Sequence, residues 1–253
     1  MHTTTADRVQ AVRAWLESNH YDALIVPHED EYLGEYVPAH NERLHWLTGF
    51  TGSAGAALIT KESAAIFVDG RYTVQVRKQV PESVFEYRHL IEEPSLDWLV
   101  QVLPQGSKVA YDPRMHTAAW LKGAQAKLAG KLELATLTSN PIDQLWSDRP
   151  TPIVSDVRLM PTDAVGQSCA SKRSEIAQLL AEKEADAAVL TELDSICWLL
   201  NIRGLDVSRL PVVLSNAIIH ADNSVEFFLD PSRVPTGFAE HTGEGIVVRA
   251  PSE

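Results

Sequence analysis

Basic residues are what this sequence is shortest of. Lysine and arginine together number 22 against 34 aspartates and glutamates, a formal charge of −12 over 253 residues. Nucleic acids and anionic membranes select basic faces, so neither is an expected partner. Cysteine is nearly absent, with Cys169 and Cys197 the only two. Two thiols in a chain of this length make no disulfide framework, suit a reducing cytoplasm and read as small core residues. No apolar run approaches bilayer-spanning length, and the opening "MHTTTADRVQ" holds no apolar signal-peptide core. Chemical motifs are scarce as well. The chain has no His-Glu-x-x-His and no Cys-x-x-Cys, and Ser53 in "GSAG" lacks the spacing of a nucleophile elbow. What is left is the composition of a globular protein long enough for one large domain or two ordinary ones.

"GFTGSAG" at 49–55 spaces three glycines in the manner of a phosphate loop. A dinucleotide fingerprint needs a strand before the glycines and a helix after them. Here "NERLHWLTGF" reads as a helix and "GAALIT" as a strand, with no P-loop Lys-Ser or Lys-Thr following. The glycines therefore end a helix and allow tight backbone approach.

Periodicity organises the rest. A helical pattern over 6–20 leads into the buried strand "YDALIVP", and "AALIT" with "AAIFVDG" forms a hairpin around "KES". Strands then alternate with helices as far as "PIDQLW", which predicts a sheet layered with helices. "SDRPTPIVSD" at 147–156 reads as a linker, and the domains are expected at 1–160 and 161–253. The second stretch repeats the first. "SEIAQLLAEKEADAAVLTELD" answers the opening helix and strand, "ICWLLNIRG" answers "LHWLTGFTG", and "VEFFLDPSRV" answers "AAIFVDGRYT". Asp22 pairs with Asp186, Trp46 with Trp198 and Asp69 with Asp230. Matches that drift in offset but keep their order indicate a duplicated domain with loop insertions. The second copy stops at "GIVVRAPSE", where the first continues into a helix, so the second domain is expected to be truncated.

Three His-x-x-Glu pairs, His28/Glu31, His89/Glu92 and His241/Glu244, carry the spacing of a metal site on a helix. Their surroundings read as strand ends and loops instead, with residues 240–244 expected to be a loop. "DGRYTVQV" is more pointed: Asp69 and Gly70 end a strand while Arg71 and Tyr72 open a helix. A guanidinium there can grip a carboxylate, or an Asp69–Arg71 pair can fix the strand exit.

Together, "YDALIVPHEDEYLGEYVP", "RLHWLTGFTGSAGAALIT", "IFVDGRYTVQV", "NPIDQLWSDRP" and "LDSICWLLNIRGLDV" resemble the N-terminal region of three-domain cytosolic Xaa-Pro aminopeptidases. The resemblance implies two related creatinase-N-like α/β domains, each a mixed sheet covered by helices, ahead of a catalytic pita-bread domain. It implies a metallopeptidase that removes the first residue from peptides with proline second, using two divalent ions, usually manganese, on two Asp, one His and two Glu. No two aspartates of this chain have the eleven-residue separation that begins that metal set, so no metal ligand or catalytic residue carries over. The fragment alone is expected to be inactive and to bind no metal. Arg71 and Tyr72 are the candidates for the substrate side, with Trp46, Asp69 and Arg203 structural. Peptide substrates, homo-oligomerisation and a cytoplasmic location complete the implication. A creatinase or dipeptidase relative is an alternative, disfavoured by the duplicated module. A free-standing binding or dimerisation module is another, disfavoured by the break at Ser252.

Overall fold

The computed structural model describes residues 3–253. The chain divides into two compact units, one running to Glu35 and then over Ala39–Thr151, the other holding Tyr36–Pro38 and Pro152–Glu253. The division falls between 151 and 152, ahead of the expected 160. Local bonding is the reason. The Ser155 backbone N–H and hydroxyl donate to Asp206 at 3.0 and 2.7 Å, and the Val157 N–H donates to the Arg233 carbonyl at 3.0 Å.

The first unit opens with α1 (Thr5–Ser18), started by a reciprocal capping box between Thr4 and Asp7 and burying Val9, Val12 and Leu16. Strand β1 (Ala23–Pro27) is buried throughout. It is followed by α2 (Arg43–Thr48), β2 (Gly55–Thr60), β3 (Ala64–Val68), α3 (Thr73–Gln79), β4 (Glu86–His89) and α4 (Ser95–Val102). The unit closes with β5 (Lys108–Tyr111), α5 (Ala118–Leu128), β6 (Glu133–Thr136) and α6 (Pro141–Leu145). Strand order is β4-β3-β2-β1-β5-β6. The β1/β2 and β2/β3 pairs are antiparallel and the others parallel, so the sheet is mixed. Its central strands are buried on both faces, which explains why they read as unbroken apolar runs rather than alternations. Val12, Leu16, Leu44 and Ile142 from α1, α2 and α6 pack on one face; Trp98, Leu99 and Leu128 from α4 and α5 pack on the other.

The second unit contains β7 (Arg158–Leu159), α7 (Cys169–Glu182), β8 (Ala187–Leu190), α8 (Leu193–Leu199) and β9 (Ile202–Arg203). It continues with β10 (Asn216–His220), β11 (Val225–Phe228), α9 (Phe238–Thr242) and β12 (Ile246–Arg249). Residues 238–242 are thus a short helix where a loop was expected. The β12-β11-β10-β8 sheet repeats β4-β3-β2-β1 in order and direction: two antiparallel pairs, then a parallel one. The β7/β9 ribbon is an addition within this unit.

Duplication extends to side-chain devices. Arg8 on α1 donates to the Trp46 carbonyl and lies 5.2 Å from the centre of its ring. Lys172 on α7 donates to the Trp198 carbonyl at 2.7 Å and lies 4.4 Å from that ring. In both units a cation on the first helix clasps the tryptophan of the second. Asp69 and Asp230 match too, each accepting at 2.9 Å from the backbone N–H two residues on. Trp198 departs from its counterpart. Helix α8 contacts β8 and β10 as α2 contacts β1 and β2, yet Trp198 is 47% exposed while Trp46 is 6% exposed. Trp46 stacks on Trp146, which follows α6, at 5.8 Å between centroids, and Trp198 has no such cover among the described residues.

Candidate functional site at the exit of the third strand

The carboxyl end of β3 joins two segments. In "GFTGSAG", Gly49 ends α2 in a left-handed conformation (φ 84°), which favours glycine. A Cβ on Gly52 would stand 2.2 Å from Phe50 Cζ and 2.8 Å from Tyr72 Cδ1, so only glycine fits between the two rings. The loop is then clamped to α3. The Thr51 N–H donates to Gln79 Oε1 at 3.0 Å, and the Gln79 and Gln75 amides donate back to the Thr51 hydroxyl at 2.8 and 3.0 Å. These glycines bend the chain from helix to strand, as the sequence indicates.

The other segment is Asp69–Tyr72, just ahead of α3. Asp69 accepts from the Arg71 backbone and holds its guanidinium through Nε and Nη2, the shortest contact being 2.7 Å. Arg71 remains 63% exposed at its side chain, and its hydrogen bonds keep the Asp69 carboxyl below its ordinary pKa. The guanidinium lies 5.1 Å from the centre of the Tyr72 ring. Tyr72 packs edge-on to Phe50, and its hydroxyl meets the Ser53 hydroxyl at 2.9 Å. That bond lowers the phenol below its ordinary pKa. Arg71, Tyr72 and Asp69 therefore converge, and the pairing of Asp69 with Arg71 is present. Arg71 Nη1 keeps no hydrogen-bond partner among the described residues, which leaves it free to donate to a single carbonyl or carboxylate oxygen. Ser53, Thr51 and Gln79 were not read from the sequence as members of this cluster. Their separation from Tyr72 along the chain gives no signal, since the fold alone brings them together.

Surface depressions of about 410 Å³, beside Arg77–Glu82 and Tyr87, and about 400 Å³, beside Ala6–Arg13 and Glu82–Glu86, include neither Arg71 nor Tyr72. The site is an open surface rather than an enclosed pocket. None of the three His-x-x-Glu pairs forms a ligand set. Glu31 is bound to Arg43, His89 Nδ1 accepts from the Ile91 and Glu92 backbone, and His241 Nε2 lies 3.0 Å from the Asn201 carbonyl. Among the described residues, no group of three or more His, Cys, Asp or Glu side chains is placed to hold a metal ion. The residues present do not fit a metal centre.

Two α/β modules share one topology, and the first presents a cation at a strand exit. Residues 8–145 match the family model described as the creatinase/prolidase N-terminal domain, and residues 148–253 match a second model of the same description. The first match alone spans more than half of the chain, and the chain belongs to the creatinase/prolidase N-terminal domain family.

Relatives are consistent with this. The chain is 35% identical over 231 residues to aminopeptidase P1 of Lotus japonicus, covering 90% of this chain and 35% of the relative. It is 37% identical over 229 residues to the Xaa-Pro aminopeptidase ApepP of Drosophila melanogaster, covering 89% and 37%. The crystal structure of X-prolyl aminopeptidase from Caenorhabditis elegans, a cytosolic enzyme with a di-nuclear active site, superposes with a TM-score of 0.93 at 26% identity. That superposition covers 100% of this chain and 43% of the nematode enzyme. The chain thus spans well under half the length of these relatives.

Proposed function

We propose that this chain is the non-catalytic N-terminal region of a longer, metal-dependent Xaa-Pro aminopeptidase that removes the first residue from peptides with proline second. The observation that carries the proposal is that both units together, across 100% of the chain, match a solved X-prolyl aminopeptidase with a TM-score of 0.93. When bound elsewhere in the longer enzyme, two divalent ions, manganese in this proposal, supply an activated water. This chain's part is to present Arg71 and Tyr72 to the substrate side. Arg71 Nη1 would donate to a peptide oxygen while Asp69 and the Tyr72 ring hold the guanidinium in place. The enzyme would act in the cytoplasm on peptides, and the chain would self-associate.

The test has two arms. The chain alone, with manganese, should release no residue from Arg-Pro-Pro, and the longer enzyme should. In the longer enzyme Arg71→Met should raise KM about tenfold with little change in kcat, as expected for lost uniform binding. Manganese-dependent turnover by the chain alone would refute the non-catalytic reading. An unchanged KM would remove Arg71 from the substrate side.

A further inference from the structure

The arrangement at the exit of β3 recurs at the exit of β5. Asp112 accepts from the Arg114 backbone N–H at 3.1 Å and from its Nε and Nη2 at 3.0 and 2.7 Å, as Asp69 does from Arg71. Arg114 is 50% exposed at its side chain, against 2% for Asp112. Arg114 Nη1, like that of Arg71, keeps no hydrogen-bond partner among the described residues, so it can donate to one outside oxygen. The matching aspartate of the second unit presents no such cation. Asp230 accepts from Ser232, and the nearby Arg233 is buried against Asp206 at 2.6 Å.

Topology sets both guanidiniums at one end of the first sheet. Strand β2 runs antiparallel to β1 and β3, and β5 runs parallel to β1, so β3 and β5 end at the same edge. Open α/β sheets bind their ligands outside the carboxyl ends of the strands. Between the two arginines lie the exit of β1 and the loop entering β2, where His28, Phe50, Thr51 and Gly52 line a small depression. Three strand steps of about 4.8 Å separate the two exits by roughly 14 Å. An extended peptide advances about 3.4 Å per residue, so the gap is about four residues long. Charge selects the acceptor. The Asp112 hydrogen bonds act on Arg114 first, and the charges of Glu31 and Arg43 act on it from farther away. Two cations thus meet two carboxylates, and this balanced site suits a neutral carbonyl oxygen better than a carboxylate, which Asp112 and Glu31 repel.

We propose that Arg114 is a second anchor for extended peptides, donating to a backbone carbonyl oxygen about four residues along from the oxygen that Arg71 holds. This rests on the reading of Arg71 as a substrate-side group and adds to it a preference for peptides of about five residues or more.

Steady-state kinetics of the longer enzyme on Arg-Pro-Pro and on Arg-Pro-Pro-Ala-Ala-Ala-Ala provide the test. Arg114→Met should raise KM about fivefold for the longer peptide and leave that of the tripeptide unchanged, with kcat little altered for either. Lys122→Met, at an exposed position on α5, should change neither. Amidating the carboxyl end of the longer peptide should also change nothing, because the acceptor is a carbonyl. Should Arg114→Met disturb the fold, KM of the unmodified enzyme should still fall about fivefold as the peptide is lengthened from the shorter to the longer. An Arg71→Met enzyme with unaltered KM for Arg-Pro-Pro would remove the reading beneath this inference, and the inference with it. With the Arg71 effect present, equal effects of Arg114→Met on both peptides, a KM independent of peptide length, or a KM raised by amidation would overturn the second anchor alone.

Discussion

Replacing Arg43 by leucine tests which interactions hold the first unit together. Arg43 is 2% exposed at its side chain and binds two carboxylates at once. Its Nη1 and Nη2 donate to Glu31 at 3.1 and 2.7 Å, and its Nε and Nη2 donate to Asp143 at 2.7 and 2.9 Å. Burial alone would lower the guanidinium pKa, but the hydrogen bonds of Asp143 and Glu31 outweigh it and hold the group above its ordinary value. The three residues come from α2, the segment after β1 and α6, so the network ties three parts of the unit to one cation.

Breaking a buried pair by removing one partner costs about 3–5 kcal/mol. Glu31 and Asp143 are 26% and 25% exposed and can recruit water, and Asp143 retains Arg149 at 3.0 Å. The low end, about 3 kcal/mol, is therefore expected, which is about 6–12 °C in Tm for a unit of this size. Urea unfolding followed by tryptophan fluorescence is the assay, because five of the six tryptophans lie in the first unit. A loss below about 1 kcal/mol would refute the reasoning, because it would place this network with solvated surface pairs.

Two further outcomes follow from the same unit. His116 stacks on Trp120 at 3.7 Å between centroids, and burial lowers its pKa from 6.5 to about 4, with Asp112 opposing the shift. The unfolded chain therefore binds the proton more readily. Stability is full above pH ~6.5 and is lost as pH falls towards ~4, by up to about 3 kcal/mol, or about 1–2 kcal/mol once residual ring exposure is allowed for. Urea midpoints at pH 7 and 4.5 should show that slope, and His116→Phe should flatten it. Gly52→Ala should cost about 2 kcal/mol through its clash with Phe50 and Tyr72. Gly70→Ala, whose Cβ would meet nothing closer than 3.7 Å, should stay within about 0.5 kcal/mol by the same assay.

The duplicated strands and the helix-to-strand bend were legible in the sequence because both depend on short-range pattern. A central strand buried on both faces has to be an apolar run, and the aspartate after β3 and β11 serves a turn closed within three residues. The Arg43 network was not legible. Glu31 lies twelve residues from Arg43 and Asp143 a hundred, and each reads locally as an ordinary acid on an acidic chain. The Glu31 that matched a His-x-x-Glu pattern is the carboxylate that Arg43 holds. The anchoring of the linker was not legible for a related reason, since Ser155 is held by Asp206 across 51 residues.

Trp198 shows how a correct pairing can still mislead about burial. The sequence matches it to Trp46, and the cation clasp from α1 or α7 proves the match in three dimensions. Burial, however, is set by what lies above the ring. Trp46 is covered by Trp146, a residue a hundred positions away, and no local pattern around "CWLL" reports whether such a cover exists. Lys172 is held by the Trp198 carbonyl and by Asn201 Oδ1 at 2.6 Å, so the clasp survives without the cover. The clasp therefore belongs to the repeat itself, whereas the burial of the tryptophan belongs to elements outside it. The same distinction applies to the sheet. Strand order is shared by both units, while the closed face of the first depends on α4 and α5, which follow the shared elements in the chain. A repeat read from sequence thus transfers topology and local bonding, and leaves burial to be established by the structure.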